Sequence, residues 1–499
     1  MTNVPKPSRP TDRFVRPRLT VCAAVLFAMS AAVPTDVLAA PRGEAPLVAA
    51  IKHGDTERAL ALIAEDGGVD AAEADGTTAL HWAAWAGDAA LVDALLAAGA
   101  SPTAANRYGM TALHLAAVNG DVRMLRALLE AGADPNATLP EGETVLMTAA
   151  RTGVPEAVEI LIEHGADVHA RERWHGENAL IWAAVEDHAD AIRVLVANGA
   201  DVDARSARQS FQRRRLGQSV LPLGDWTALM YAARENALDA GRALIEAGAA
   251  LDLVDPDGAT ALVIAIINAH YEFAAMLVEA GADPNVVEAT GMGPLYAAAD
   301  MHRLAVGHGR PNPKPAGPLD SVDIVRLLLE HGADPNAKLK TPIMQRQHTA
   351  GDAALGEGAT PLLRAAKSGD IEMLRLLLDA GADPTHTMPN GSTALMYAAG
   401  LGWRNGSPLA PSFDQGSDAE AIETIRLLLE LGLDIDARNA DGNTALHAAI
   451  TGRGSDAIIR FLIAAGANPN IPNNRGETAL GLAESRASSE IVDLMRARR

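Results

Sequence analysis

The sequence predicts an all-α solenoid of about twelve two-helix units, interrupted by four insertions. Two observations favour this fold class. The leucine of a T-x-L step returns at a regular interval, and each copy is followed by a second apolar segment that ends in a Leu-Leu pair. A unit of this kind cannot bury its apolar face alone, so neighbouring units have to stack.

The composition excludes several classes of protein. The chain has 499 residues, one Cys, 3% aromatic residues and a formal net charge of −21. Its hydrophobic fraction of 48% is typical of folded chains. We expect no nucleic-acid binding, because phosphate recognition needs a cationic surface. One Cys can form neither an internal disulfide nor a thiolate metal site.

The N-terminal segment has the order of a secretory signal peptide, predicted over residues 1–39. Five basic residues precede an apolar run from Leu19 to Val33, and small residues follow up to Ala40. The run is shorter than the roughly 20 residues of a membrane span. We therefore expect cleavage and no stable membrane anchor, with an uncleaved anchor as the alternative. The remaining chain, 40–499, would be a periplasmic or secreted monomer of net charge −24.

The repeated unit explains most of the remaining sequence. Its T-x-L leucine recurs mostly at 33 or 34 residues, as from Leu80 to Leu113 and Leu146. Thr suits the N-cap of a first helix, and Gly suits its end. Paired alanines let two helix layers approach closely, and G-A-D-P-N turns the chain into a loop.

The motifs T-x-L-H-x-A-A and L-L-x-x-G-A-D resemble those of the ankyrin-repeat family over nearly all of residues 45–499. The resemblance implies helix-turn-helix units joined by finger loops, with partners often bound on a concave face. The first unit, 45–74, and the last, 475–499, depart from the pattern, as capping repeats do. Similar interruptions occur in secreted bacterial ankyrin-repeat proteins, which the chain also resembles.

Four insertions break the period, near residues 206–223, 303–320, 340–356 and 402–419. Two of them add about 18 residues between the two helices of a unit, and two add 16 residues to a finger loop. Loops of this length are usually functional or disordered. Because the insertions come in two pairs of equal length, we expect them to have a function. The alternative is that they are tolerated surface insertions, since long loops cost little stability.

The polar residues predict no catalytic or metal site. His81, His114 and His447 occupy the T-x-L-H step, where the resemblance implies a structural hydrogen bond between units. The stretch 434–443 is similar to a calcium loop but has Arg438 in place of a ligand. No nucleophile has an assigned base, and no phosphate-binding loop is present. We expect no enzyme, no cofactor and no metal.

Aromatic residues point to a binding face in repeats two to six. Trp and Tyr are enriched at the energetic centres of protein interfaces. In ankyrin-repeat proteins the residue after T-x-L-H should lie near the concave face, although packing between repeats could account for some of these rings. The predicted partner contacts are Trp82, Trp85, Tyr108, Trp174, His175, Trp182, Trp226 and Tyr231.

A basic cluster from Arg205 to Arg215 inverts the local charge of this acidic chain. We expect Arg213, Arg214 and Arg215 to attract an acidic partner. Contact with the protein's own acidic surface, or a solvated loop, is the alternative.

The sequence therefore predicts a non-enzymatic scaffold for protein–protein interaction in the bacterial cell envelope. Two further functions stay open at this point. One is an accessory subunit or chaperone of an exported enzyme, and the other is a secreted effector acting on host proteins.

Overall fold

The structure is a computed structural model that describes residues 45–65, 68–210, 223–303, 313–343, 355–402 and 416–497. Within these ranges twenty-four α-helices form twelve consecutive pairs, which we call repeats 1 to 12. The predicted all-α fold is confirmed. The predicted signal peptide lies outside the described residues, as do parts of all four predicted insertions.

Each repeat contributes a first and a second helix. The first helices are Pro46–Lys52, Ala79–Ala86, Ala112–Asn119, Val145–Thr152, Ala179–Val185, Ala228–Glu235, Ala261–Ile267, Pro294–His302, Pro361–Ser368, Ala394–Ala399, Ala445–Ala448 and Ala479–Arg486. The second helices are Thr56–Ala64, Ala89–Ala97, Val122–Glu130, Pro155–Glu163, Ala189–Ala197, Leu238–Glu246, Tyr271–Glu279, Ser321–Glu330, Ile371–Asp379, Asp418–Glu430, Asp456–Ala465 and Ser489–Arg496.

The helices stack in two layers. Every first helix packs against its own second helix and against the first helices of adjacent repeats. Second helices also contact one another from repeat to repeat, most loosely between repeats 8 and 9. The core between the layers is made of leucines such as Leu80 and Leu95 and of small residues such as Ala83 and Ala84, all buried. No helix in the described ranges has the length and apolar character needed to cross a membrane.

Local signals fix where the first helices begin and end. Thr111 caps its helix, and its hydroxyl accepts a hydrogen bond from the His114 amide at 3.3 Å. Gly120 ends the helix with φ of +65°, a left-handed conformation that favours glycine. A Cβ at Gly120 would lie 2.7 Å from Cγ2 of Val154 in the next repeat. Glycine therefore serves both the turn and the close approach.

Two of the three T-x-L-H histidines, His81 and His447, connect neighbouring repeats as predicted, whereas Nε2 of the buried His114 makes no hydrogen bond within the described residues. The Thr78 amide donates to His81 Nδ1 at 3.1 Å, so the proton of the neutral ring is on Nε2. That nitrogen donates to the Met110 carbonyl of the next finger at 2.9 Å. In repeat 11, His447 Nε2 lies 3.2 Å from the Glu477 carbonyl. Burial lowers the pKa of His81 and His447, which keeps both rings neutral for this role.

Repeat 11 accommodates one extra residue without a loop. Its first helix, Ala445–Ala448, continues directly into a π-helical turn, Ala449–Arg453. A single inserted residue in a helix is typically absorbed in this way. The extra residue is visible in the sequence as a spacing of 34 residues from Leu446 to Leu480, but that spacing does not indicate a π-helical turn.

Burial of the histidines predicts acid sensitivity. Burial lowers the pKa of His114 to about 4, against 6.5 for an ordinary His. Above pH 6.5 the ring is neutral in both states. As the pH falls from 6.5 towards 4, only the unfolded chain takes up the proton, so the free energy of unfolding falls. This group alone should contribute about 3 kcal/mol to that loss.

We expect urea unfolding, followed by circular dichroism, to lose less stability between pH 6.5 and 4 in His114→Gln than in the unaltered chain. The comparison of slopes matters, because the substitution also changes stability at neutral pH. An identical pH dependence in both proteins would contradict the prediction.

Candidate partner-binding face

The fourth and seventh residues of the first helices form one face, which we call the first-helix face. Residues three apart lie on the same side of a helix. The fourth residues are Ala49, Trp82, Leu115, Thr148, Trp182, Tyr231, Ile264, Ala297, Arg364, Tyr397, Ala448 and Leu482. At the seventh position from the helix start stand Lys52, Trp85, Val118, Arg151, Val185, Arg234, Ile267, Asp300, Lys367, Gly400, Thr451 and Ser485. Gly400 and Thr451 lie just beyond the ends of their short first helices.

Cations on this face pack against aromatic rings of the next repeat. Lys52 Nζ lies 4.9 Å from the ring centroid of Trp82, and the Arg151 guanidinium lies at the same distance from Trp182. Such cation–π contacts stabilise the stacking of repeats. Trp82 and Trp182 are both half-buried. Their position is therefore explained in large part by packing between repeats.

Trp226 and Tyr231, both among the predicted partner contacts, are buried, which leaves little of either side chain for a partner to contact. Their side chains are 6% and 7% exposed. The rings meet edge to face with centroids 5.4 Å apart, and Trp226 Nε1 donates to Asp255 Oδ2 at 3.1 Å. Burial raises the pKa of the Tyr231 hydroxyl. Two other side chains account for the burial: Asp255 in the following finger accepts the indole hydrogen bond, and Arg234 covers both rings.

Among the predicted contacts, the Trp and Tyr residues that are exposed are Trp85, Tyr108 and Trp174. They are 42%, 42% and 65% exposed. Trp85 meets the ring of Trp82 edge to face, with centroids 5.8 Å apart. Val118, which occupies the same position one repeat later, is 37% exposed and was not among the predicted contacts. We call Trp82, Trp85 and Val118 the repeat 2–3 patch.

The other predicted contacts lie on fingers. Arg107 covers the ring of Tyr108 and donates to its hydroxyl at 2.6 Å. Trp174 and His175 stack in the finger that precedes repeat 5, with centroids 5.6 Å apart and planes 9° apart. Arg213, Arg214 and Arg215 lie outside the described residues, and their predicted role stays a prediction.

One finger brings three possible metal ligands together. The ligand atoms of Glu172, His175 and Glu177 lie within 4.8 Å of one another. The Glu172 carboxylate, however, accepts backbone amides of Trp174, His175 and Glu177 at 2.5, 2.7 and 3.0 Å. Asn106 binds finger amides in the same way in the finger before repeat 3. Glu172 is thus committed to shaping the finger.

Repeats 8 to 10 carry ion pairs on the first-helix side. Asp300 and Arg364 pair across adjacent repeats at 2.5 Å, and Arg364 is buried. Arg303 pairs with Glu420 at 2.6 Å across an intervening repeat. This pairing, with the amide of Ser417, lowers the pKa of Glu420 to about 2. These pairs were not predicted from the sequence; the signal for them was the presence of charged residues at positions where other repeats have small or aromatic ones.

Tyr231→Ala should destabilise the array, because it removes a buried ring that packs on Trp226. We expect the free energy of unfolding in urea to fall by about 3 kcal/mol or more, as for other large core truncations. Tyr231→Phe keeps the ring and should cost much less. Equal stability of the Ala variant and the unaltered chain would show that the ring is not a packing residue.

Comparisons with family models and with known proteins identify ankyrin repeats along the chain, in agreement with the stacked two-helix units. A model of three ankyrin repeats matches residues 22–106, 47–139, 113–206, 214–288, 339–405 and 416–498, and a single-repeat model matches 290–340. The chain is 26% identical over 283 residues to the E3 ubiquitin-protein ligase KEG of Arabidopsis thaliana, covering 54% of this chain and 16% of that protein. It is 40% identical over 72 residues to the palmitoyltransferase Hip14 of Drosophila melanogaster, covering 14% of this chain and 11% of that protein.

A putative ankyrin repeat protein, L271, of Acanthamoeba polyphaga mimivirus is 30% identical over 88 residues, or 18% of this chain and 12% of that protein. Each match thus spans less than a fifth of the relative's own length. The ankyrin repeat domain of human ASB11 is similar with 26% identity and a TM-score of 0.38, over 44% of this chain and 92% of that domain. The repeat models match most of the sequence, and the chain belongs to the ankyrin-repeat family.

Proposed function

We propose that this ankyrin array is a non-enzymatic scaffold that binds a protein partner on the repeat 2–3 patch. Ankyrin arrays are protein-interaction modules, and the enzymatic relatives match only over small fractions of their length. The single observation that carries the location is the exposure of Trp85 and Val118, at 42% and 37%, on adjacent repeats. Contiguous exposed apolar patches mark interaction sites, and Trp85 and Val118 occupy the same helix position on neighbouring repeats.

The patch is held ready for binding. The Trp82 indole donates to Glu73 Oε2 at 2.7 Å, and Lys52 Nζ lies over the Trp82 ring, so the ring that Trp85 packs against is fixed. Asn119 donates to the Ala84 carbonyl at 2.9 Å and links the two first helices. A preorganised surface loses little conformational entropy on binding. This favours Trp85 as the anchor of the interface.

We propose the bacterial cell envelope as the location, periplasmic or secreted. The support is the basic and apolar segment over residues 1–39, which has the order of a signal peptide. An expressed chain with its N-terminus determined after export would test this. A mature protein that begins near residue 40 is the expected result, and retention of the whole segment would contradict it.

Trp85→Ala should weaken partner binding at least tenfold, as truncation of central interface aromatics usually does. The exposed position of Trp85 predicts a change in unfolding free energy below about 1 kcal/mol. The partner is first isolated by affinity capture on residues 40–499, then titrated against each variant by calorimetry.

Leu431→Ala is the matched control, because Leu431 is 44% exposed at the end of a second helix in repeat 10. It should leave the affinity unchanged. If Trp85→Ala and Leu431→Ala bind the partner equally well, the proposed location is wrong.

A further inference from the structure

The fingers before repeats 5 and 6 form a second surface, which we call the finger corner: Arg171, Arg173, Trp174, His175 and Arg208. We propose that the finger corner binds an acidic peptide segment that carries an apolar or aromatic side chain. This inference rests on the proposed function, since it names the chemistry of a protein partner for the same array. It concerns residues outside the repeat 2–3 patch.

The finger before repeat 6 continues beyond the usual finger length as two antiparallel segments, 205–210 and 223–227, which we call the hairpin. Antiparallel bridges join Arg205 to Thr227 and Arg208 to Gly224. The Gln209 amide then donates to the Leu223 carbonyl at 2.6 Å. The predicted insertion over 206–223 thus begins as an ordered extension of the finger.

This hairpin is attached edge to edge to the finger that carries Trp174. The Ala207 amide donates to the His175 carbonyl at 2.6 Å, and the Gln209 side chain donates to the Trp174 carbonyl at 3.0 Å. Because the Trp174 amide is also held by Glu172, both sides of the Trp174 backbone are fixed. The ring itself is 65% exposed. A rigid, exposed Trp is the kind of residue that anchors interfaces.

Two glycines make this attachment possible. Gly176 and Gly224 have φ of +65° and +70°. A Cβ at Gly176 would lie 2.7 Å from the Ala207 Cβ, and a Cβ at Gly224 would collide with the Ala207 carbonyl. Ala207 therefore packs directly against both glycines, where no larger residue would fit. The close packing of the fingers is specified by residue size.

The charge of the finger corner is opposite to that of the chain. Arg171, Arg173 and Arg208 are exposed, and none of them forms an ion pair within the part of the chain that the structure describes. Arg171 donates to the carbonyls of Gly176 and Arg205, and Arg173 donates to the Pro140 carbonyl at 3.3 Å. Hydrogen bonds to carbonyls orient a guanidinium but leave its charge available to a carboxylate.

The nearby carboxylates are committed elsewhere. Glu172 accepts three backbone amides, Asp225 lies 3.6 Å from Arg205, and Glu177, close to His175, is hydrogen-bonded to the Tyr231 side chain. An incoming acidic residue would therefore meet arginines that are not already paired. The exposed face of Trp174 would at the same time pack an apolar side chain of the same segment.

An acidic peptide fits this surface better than a nucleic acid. Single-stranded nucleic acids also combine arginine contacts with stacking on aromatic rings. A long polyanion would, however, be repelled by a chain of net charge −21. A short acidic segment meets mainly the local field of the finger corner, because charges beyond roughly 8–10 Å are screened at physiological salt.

The test uses the full mature chain and three fluorescent probes followed by anisotropy. The first is a peptide of alternating Glu and Ser with one central Phe, the second replaces each Glu by Lys, and the third is oligo-dT. We expect the acidic peptide to bind, the Lys peptide and oligo-dT to bind at least tenfold more weakly, and the affinity to fall at 0.5 M salt.

Trp174→Ala should weaken binding of the acidic peptide about tenfold. The double variant Arg173→Gln with Arg208→Gln should also weaken it about tenfold, and its affinity should depend less on salt than that of the unaltered chain. Arg126→Gln is the control, because Arg126 is an exposed arginine on the second helix of repeat 3. Circular dichroism checks that each variant is folded, which the exposure of these side chains predicts.

Preference for oligo-dT, or binding of the acidic peptide that these variants do not change, would overturn the inference. If the acidic peptide fails to bind while Trp85→Ala still weakens partner binding, this inference fails and the proposed function stands. If peptide binding depends on Trp174 but Trp85→Ala has no effect, the finger corner is supported and the proposed location on repeats 2 and 3 fails.

Discussion

Every repeat depends on its neighbours, because a two-helix unit of about 33 residues cannot cover its own apolar face. The core shows this directly, since Leu80 and Leu95 are buried only between stacked units. Polar groups obey the same rule, as when His81 donates its Nε2 proton to Met110 in the next finger. Whether a side chain between two repeats is buried or exposed therefore depends on the residue that the next repeat places against it.

This dependence separates packing residues from binding residues on the first-helix face. Where a cation precedes an aromatic residue of the next repeat, as with Lys52 and Trp82, both side chains are occupied by the stacking. Trp85 is followed by Leu115, a smaller residue that is itself buried, and it keeps 42% of its surface exposed. A large apolar residue that the next repeat does not cover is thus the feature that distinguishes the repeat 2–3 patch.

The period, the caps and the T-x-L-H histidines could be predicted from sequence because each is a local or strictly repeated signal. The burial of Trp226 and Tyr231 could not, because it depends on Asp255 in the next finger and on Arg234 one turn along the helix. Exposure of a side chain is a property of the assembled stack. For the same reason Val118 was missed: no pattern within one repeat marks it as uncovered.

Next to the insertions, the repeats are joined by contacts other than the regular stacking of adjacent helices. Second helices of repeats 8 and 9 contact each other most loosely, and ion pairs such as Asp300–Arg364 join the first-helix side of the same step. Arg303 and Glu420 then connect repeats 8 and 10 beside the segments where two insertions leave the helices. The hairpin before repeat 6 is fixed in another way, by glycines and backbone hydrogen bonds. In each of these cases the described residues that flank an insertion are bound to a neighbouring repeat.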